Sequence, residues 1–246
     1  MRILLKISGE SLKKDNNIDK SMLDRILSLV KGRSSDEIIL VVGGGNFYRG
    51  RDGLDINRVV SDNIGMLSTM MNGMAISSYF NENGVSTSLY GAFEIPGMVR
   101  KENVFSVIED LRCGKVVVFG GGLGVPFLST DMTAVNKAIS YEADVIMMAK
   151  NVSYVYNKDP KVGDAKEYRV LTHLELFDLA VKQGVSSLLI LDIEALSCLV
   201  KHKIPMYIYN CSDVTSLDDV FSGNVGTKVV SWFLWTKKLN YGIIVP

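Results

Sequence analysis

The sequence predicts an α/β protein built on a largely parallel sheet with helices on both faces. Three observations carry that prediction. The runs Glu37–Val42, Lys115–Phe119 and Asp144–Ala149 are almost continuously apolar, as strands buried on both faces are. They alternate with segments whose apolar residues recur every three or four positions. Two of the runs stop at glycine clusters, Gly43-Gly44-Gly45 and Gly120-Gly121-Gly122-Leu123-Gly124, which mark tight strand-to-loop transitions.

The bulk composition sets the class. At 246 residues the chain suits one large α/β domain or two small lobes with an ample core, and 47% hydrophobic with 22% charged residues is ordinary for a globular protein. Zero net charge and a pI near 6.7 leave no electrostatic footprint for nucleic acid, so no nucleic-acid partner is expected. Met1–Lys6 does not read as a leader peptide, and no apolar run reaches membrane-spanning length, so no membrane partner is expected either. Cys113, Cys198 and Cys211 are odd in number and widely spaced, which fits a reducing cytoplasm and disfavours a zinc site. His173 and His202 both lie in polar segments and read as solvated surface residues.

Taken in order, Arg2–Ile7 reads as the first strand, ended by Ser8-Gly9-Glu10. Lys6 sits near the end of that strand. Read alone it faces solvent more often than a cleft, although the carboxyl edge of a parallel sheet is where α/β proteins bind ligands. Asp19 caps a helix carrying Met22, Leu23, Ile26, Leu27 and Val30, with Gly32 at its stop. Glu37–Val42 is the second buried strand. It runs into Gly43–Arg51, where Arg49 and Arg51 offer forks that match phosphate oxygens. Asn57–Phe80 reads as a long helix with a broad apolar stripe of Val59, Val60, Ile64, Leu67, Met70, Met71 and Met74. Core or subunit interface is the commoner role for such a stripe. For Asp62, the carboxylate inside that helix, a solvated face is the plain reading, and its period relative to the apolar stripe does not decide. Strands follow at Ser86–Tyr90 and Lys115–Phe119, with a helix near Glu102–Leu111 between them.

The stretch Val116–Asp131 organises the rest. A buried strand enters four glycines within five positions, and Ser129-Thr130-Asp131 then opens an amphipathic helix. Glycine lets backbone amides approach a ligand, and a helix N-terminus adds unpaired N–H groups and a positive dipole end. Together they suit an anion, most often a phosphate. A plain tight turn is the alternative, since neither G-x-x-x-x-G-K-[ST] nor G-x-G-x-x-G is present. Beyond it lie a strand at Asp144–Ala149 and a polar aromatic loop at Lys150–Pro160, where Tyr154 and Tyr156 are suited to stack on a base. Helical patterns follow at Leu174–Lys182 and Ile193–Lys201, then a strand at Met206–Asn210 and a short helix at Val214–Phe221. Val229–Pro246 is strongly aromatic, reads either as a final strand plus a packed arm or as an arm that docks on another subunit, and is set apart as a C-terminal extension of a 1–228 domain.

Seven motifs in order resemble the bacterial UMP kinases of the amino-acid kinase superfamily. They are Lys6-Ile-Ser-Gly-Glu10, Gly43-Gly-Gly-Asn-Phe-Tyr-Arg-Gly50, Asn57-Arg-Val-Val-Ser-Asp62, Gly65-Met-Leu-Ser-Thr-Met-Met-Asn-Gly73, Pro126-Phe-Leu-Ser-Thr-Asp131, Glu142-Ala-Asp-Val145 and Lys158-Asp-Pro160. The resemblance runs from residue 2 to about Thr227. It implies a three-layer sandwich with a mainly parallel central sheet, the carbamate kinase-like fold, and transfer of a phosphoryl group from ATP, with Mg²⁺, to UMP in pyrimidine nucleotide synthesis by a homohexamer. It places Lys6, Ile7, Ser8, Gly9, Gly45, Arg49, Lys150, Tyr156 and Asp159 on ATP. Gly44, Asp62 and the loop Leu123, Gly124, Val125, Pro126, Phe127, Leu128, Ser129 and Thr130 fall on UMP. Lys6, Arg49, Asp131 and Asp192 fall at the reaction centre, and no residue is assigned as a direct metal ligand.

The inventory of residues fits that chemistry. A phosphate oxygen is already ionised at neutral pH, so positioning and charge neutralisation suffice and no histidine is needed. The alternatives on the same fold are a non-catalytic nucleotide sensor and a kinase with another acceptor. The chain departs from the family's usual Gly-Thr-Gly-Asn-Pro at Gly122-Leu123-Gly124-Val125-Pro126. The change removes two side-chain hydrogen-bonding groups, each worth about 1.5–3 kcal/mol against a charged partner, and bears on UMP affinity and selectivity. Tyr154 stands where the family has glycine and should reshape the ATP-base side of the cleft. The loop Leu12–Ile18 lacks the glycines of members activated by GTP, so GTP activation is not expected.

Overall fold

A computed structural model of the chain describes residues 1–15, 17–48, 55–161, 163–183 and 191–231. The chain opens with β1 (Arg2–Ile7), a 3-10 turn (Gly9–Leu12), the ribbon β2 (Lys13–Lys14) and β3 (Asn17–Ile18), α1 (Lys20–Lys31) and β4 (Glu37–Val42). The long α2 (Arg58–Glu82) leads to β5 (Thr87–Gly91), β6 (Arg100–Lys101), α3 (Val104–Arg112) and β7 (Val116–Gly120). After α4 (Thr130–Ser140) come β8 (Val145–Lys150), the small pair β9 (Val155–Tyr156) and β10 (Glu167–Tyr168), and β11 (Val170–Thr172). The chain closes with α5 (His173–Gln183), α6 (Ile193–His202), β12 (Met206–Asn210), α7 (Leu217–Phe221) and β13 (Thr227–Val230).

Nine strands form one sheet in the order β11-β13-β12-β8-β1-β4-β7-β5-β6. β13 runs antiparallel to β12 and parallel to β11, and every other neighbouring pair is parallel. The four central strands β8, β1, β4 and β7 therefore end side by side, and the chain turns into a polar or glycine-rich loop at each of those ends. The cleft lies along this carboxyl edge, as open α/β sheets require.

The helices cover both faces. Ile3, Leu5 and Ile7 of β1 pack with α1, the end of α2 and α7. Leu4 packs on the opposite face with residues of α3, α4 and α6. Strand side chains alternate, so Lys6 falls on the face of Leu4 and of α4. In β8 the same parity puts Ile146 and Met148 on that face and carries Lys150 to it. One sheet face thus delivers two lysines to the start of α4.

Local chemistry accounts for the helix starts. Asp19, Asn57, Asn103, Ser129, Asp192 and Ser216 each cap a helix by accepting a backbone N–H. Ser216 and Asp219 complete a capping box, which starts α7 at Leu217 and not at Val214. Gly32 ends α1 with φ −63°, so its left-handed freedom is unused there.

Two expectations are corrected, and a third is narrowed from core or subunit interface to the second of these. Lys6 is buried, at 5% exposure, and not solvated. His202 is exposed, but His173 is buried with its Nε2 2.8 Å from the Ile204 carbonyl oxygen, and burial pushes its pKa down. The apolar stripe of α2 is largely not core. Met70 is buried, whereas Val59, Val60, Leu67, Met71 and Met74 are exposed, and the buried face carries Ser61, Ser68, Thr69, Asn72 and Gly73. β13 carries the sheet across the 228/229 boundary, with Val229 and Val230 both buried. Residues 232–246, most of the expected aromatic extension, lie outside the described residues.

Candidate active site

The cleft is a cavity of about 600 Å³. Its floor is an ion-pair triad. Lys6 Nζ lies 2.8 Å from Asp131 Oδ1, and Lys150 Nζ lies 2.5 Å from Asp131 Oδ2. Asp131 is the second residue of α4, which places the pair of lysines beside a helix N-terminus. Burial would push the Asp131 carboxyl up, but Lys150 and Lys6 outweigh that and hold it well below the usual carboxylate range. Burial pulls Lys150 down to about 8, aided by Lys6 and opposed by Asp131. At neutral pH two ammoniums face one carboxylate, so the floor carries a net positive charge shielded from water.

Two glycine loops flank the floor. A Cβ on Gly9 would stand 2.5 Å from Gly45 N and 2.6 Å from Gly43 C, so the turns after β1 and β4 touch through bare backbone. Only glycine permits that approach. The loop after β4 is tied to α2 by Asn72, which is fully buried. Its Nδ2 donates to Gly43 O at 2.7 Å and to Asn46 Oδ1 at 2.7 Å, and Asn46 Nδ2 returns a bond to Asn72 Oδ1 at 2.9 Å. After β7, Gly121 and Gly122 take left-handed φ of 77° and 58°. Gly121 N donates to Thr69 Oγ1 at 2.6 Å, and Phe127 N donates to Asp62 Oδ2 at 2.9 Å. The loop ends at Ser129, whose hydroxyl donates to Asp192 Oδ2 while Asp192 Oδ1 accepts Ala195 N at 2.7 Å.

Of the residues expected in the site, Lys6, Ser8, Gly9, Gly44, Gly45, Asp62, Val125, Phe127, Leu128, Ser129, Thr130, Asp131, Lys150, Tyr156 and Asp192 line this one cavity. Asp62 is not on a solvated face, since its side chain is 15% exposed and paired with Arg58. Ile7 points into the core, and only its backbone serves the site, its carbonyl accepting Gly43 N at 2.9 Å. Leu123, Gly124 and Pro126 belong to the loop without lining the cavity, and Asp159 accepts Lys161 N at 2.9 Å in a turn outside it. Arg49 lies outside the described residues.

At the far end of the cleft the rings of Tyr154 and Tyr156 meet edge to face at 6.4 Å, and the Arg169 guanidinium covers Tyr154 at 4.4 Å. Val152 and Pro160 complete this apolar end. The composition suits a flat ring.

Sequence reasoning did not single out Tyr48, Arg58, Met66, Thr69, Asn72 and Thr133, of which all but Asn72 line the cavity. One signal was available. Arg58, Asp62, Gly65 and Thr69 recur at intervals of three and four along α2, a polar and small stripe on the face opposite Leu67, Met71 and Met74.

The profile of the Amino acid kinase family matches residues 1–210. The uridylate kinase of Haemophilus ducreyi is 37% identical over 237 residues, covering 94% of this chain and 97% of that protein. The crystal structure of UMP kinase from Ureaplasma parvum superposes with a TM-score of 0.85 at 30% identity, over 94% of this chain and 99% of that one. UMP kinase from Bacillus anthracis gives 0.82 at 28% identity, over 94% and 96%. With a nine-stranded, mainly parallel sheet between two helix layers and this match across nearly its whole length, the chain belongs to the amino acid kinase family, among its uridylate kinases.

Proposed function

We propose that the chain transfers the γ-phosphoryl group of ATP to UMP, giving ADP and UDP. The observation that carries this reading is the buried Lys6–Asp131–Lys150 floor between two glycine loops, which supplies fixed positive charge where two phosphate chains can meet. A UMP phosphate oxygen attacks the γ-phosphorus as the bond to the β,γ-bridging oxygen of ATP breaks, and the displaced electron pair leaves on ADP. The attacking oxygen needs no base. The residues bring two anions together and neutralise the charge that shifts between them.

Lys6 and Lys150 take the charge on the transferring group, and Asp131 holds both ammoniums in place. The backbone at Ser8, Gly9 and Gly45, together with Arg49, takes the ATP phosphates. The aromatic end around Tyr156 takes its base, bordered by Ile7 backbone and Asp159. Gly44, Asp62 and the 123–130 loop take UMP. Among the described residues no three His, Cys, Asp or Glu side chains stand together to hold a metal ion, and Asp131 and Asp192 are already engaged. That donor set would suit a Mg²⁺ ion brought in on the phosphates, for which Asp131 and Asp192 would be the carboxylates at hand. Such an ion would neutralise phosphate oxygens while bound.

The exposed apolar stripe of α2 supports a subunit interface and, through the resemblance, a homohexamer. Three unpaired cysteines support a reducing, cytoplasmic setting, with pyrimidine nucleotide synthesis as the role. No described helix is long and apolar enough to cross a membrane.

A coupled ADP-release assay with MgATP against UMP, CMP, dCMP and acetylglutamate tests the reading. UMP should be the preferred acceptor. Lys6→Ala should lose about 3–5 kcal/mol of transition-state stabilisation, the scale of a strong oriented electrostatic contact. Silence with every acceptor, in protein that still binds nucleotide, would point to a non-catalytic sensor.

A further inference from the structure

Arg58 is an unexpected residue for its position. It is the first residue of a 25-residue helix, where the dipole disfavours a cation. The helix dipole therefore does not explain it. Its Nε lies 3.0 Å from both Asp62 oxygens, one turn along α2. Its guanidinium also sits over the Phe127 ring, 5.5 Å from the centroid. Phe127 is a second anomaly. It holds φ at 68°, a region bulky side chains avoid, while the residue is 65% exposed. Its N–H is the donor that reaches Asp62 Oδ2 at 2.9 Å. The three residues line the same cleft. They close a loop of contacts: helix cation to helix carboxylate, carboxylate to loop amide, loop ring back to helix cation.

We propose that Arg58 is a positioning residue of the acceptor site: it aims Asp62 at the Phe127 amide and caps the Phe127 ring, so that the 121–129 loop is set before the acceptor binds. The strained backbone at Phe127 is tied to α2 by its amide on Asp62 and by its ring under the Arg58 guanidinium. Arg58 does not touch the transferred group in this arrangement. Its loss costs acceptor binding and leaves the chemical step alone. The inference rests on the reading of UMP as acceptor, and its test includes a readout that does not depend on that reading.

Hydrogen–deuterium exchange without nucleotide reads the latch directly. In Arg58→Gln, a peptide covering 124–131 should exchange about tenfold faster than in the parent protein, the scale of one charge-assisted hydrogen bond. Kinetics read its consequence. Arg58→Gln should raise KM for UMP about tenfold with kcat within about twofold and KM for ATP unchanged, the pattern of lost uniform binding. Arg58→Lys should recover part of this, since an ammonium keeps the charge but cannot both span the carboxylate and lie on the ring. In an Asp62→Asn background, adding Arg58→Gln should raise KM clearly less than it does alone, because the arginine acts in large part through that carboxylate and otherwise only through the Phe127 ring. Unchanged exchange, a fall confined to kcat, or fully additive effects would each overturn the proposal. If the parent protein does not phosphorylate UMP, the acceptor assignment fails, and the exchange result still decides whether Arg58 holds the loop.

Discussion

Replacing Asp131 by Asn tests the electrostatic logic of the site. The carboxylate serves two lysines whose side chains are only 7% and 15% exposed, and it is itself 14% exposed. Without it, two buried ammoniums face each other with no counter-ion. At a charge separation of about 4 Å and an effective dielectric near 20, the lost attraction on Lys150 is ~4 kcal/mol. Lys150 already sits down at about 8, so in Asp131→Asn its pKa falls further and it tends to shed its proton at neutral pH. Shedding that proton relieves part of the penalty. The net destabilisation should sit near the lower end of the ~3–5 kcal/mol typical of a broken buried pair. For a chain of this size that is a fall in Tm of roughly 6–12 °C. The rate should fall by about 10²–10³, as when one oriented charge is removed from a reaction centre.

The pH dependence separates this account from a generic packing defect. A lysine whose folded pKa lies below its unfolded value leaves the unfolded chain holding more protons between the two values, so stability rises with pH across that window. For the parent protein the window runs from about 8 to the ordinary lysine value of 10.5. For Asp131→Asn it opens at lower pH, because Lys150 has lost its counter-ion. Between pH 6 and 8 the variant should therefore gain stability from this group, while the parent gains little from it. Differential scanning calorimetry at pH 6, 7 and 8, beside the ADP-release assay, measures both effects. A variant with kcat within about threefold of the parent, or a Tm deficit that does not shrink as pH rises, would refute the assignment of Asp131 as the counter-ion of two charged lysines.

Three further outcomes follow from the same geometry. In the parent protein kcat/KM for ATP should decline above pH 8 as Lys150 loses its proton, and Lys150→Arg should carry that limb to higher pH; a flat profile to pH 9.5 would show that Lys150 charge is not required. Thr69→Val leaves the buried Gly121 N–H without its acceptor, a loss of about 1–3 kcal/mol, and should lower Tm while raising KM for UMP; unchanged melting and kinetics would remove Thr69 from the site. Leu67→Glu with Met71→Glu charges two exposed residues of α2, and sedimentation should show a smaller assembly with an unchanged circular dichroism spectrum; an unchanged mass would move the interface elsewhere.

The sheet is legible because its strands are apolar on both faces, a pattern that few elements other than buried parallel strands produce. Placing the strand ends also places the cleft. The burial of Lys6 is legible in part. Strand parity puts it on the α4 face, but only the pairing of β1 with β8 reveals Lys150 beside it and Asp131 between them. A lone lysine at a strand end carries no sign of a partner 125 or more residues away. α2 misleads for a different reason. Hydrophobicity does not mean burial there, because this helix buries its small and polar residues. The glycine loops press against it closely enough that a Cβ on Gly44 would stand 2.8 Å from Ser68 Cβ. The burial of His173 is hidden because its polar neighbours in sequence are not its neighbours in space. The chain folds it under the Ile204 carbonyl.

The inversion of burial along α2 bears on how the site works. The helix presents two faces with opposite requirements. Its inner face fixes both glycine loops, through Asn72 to Gly43, Thr69 to Gly121 and Asp62 to Phe127. Its outer face leaves Val60, Leu67 and Met71 exposed, between 45% and 50% each. A helix that must be covered on the outside and must hold ligand-binding loops on the inside ties the two conditions together. Whatever covers the outer face restrains the rigid rod from which both loops hang, and a ligand that orders the loops restrains the same rod from within. Coupling of that kind is reciprocal in free energy. Protein charged at Leu67 and Met71 should then lose affinity for both substrates as well as mass, although neither residue lines the cleft. A smaller species with parental KM for ATP and UMP would show that the inner face of α2 is held by its own subunit alone.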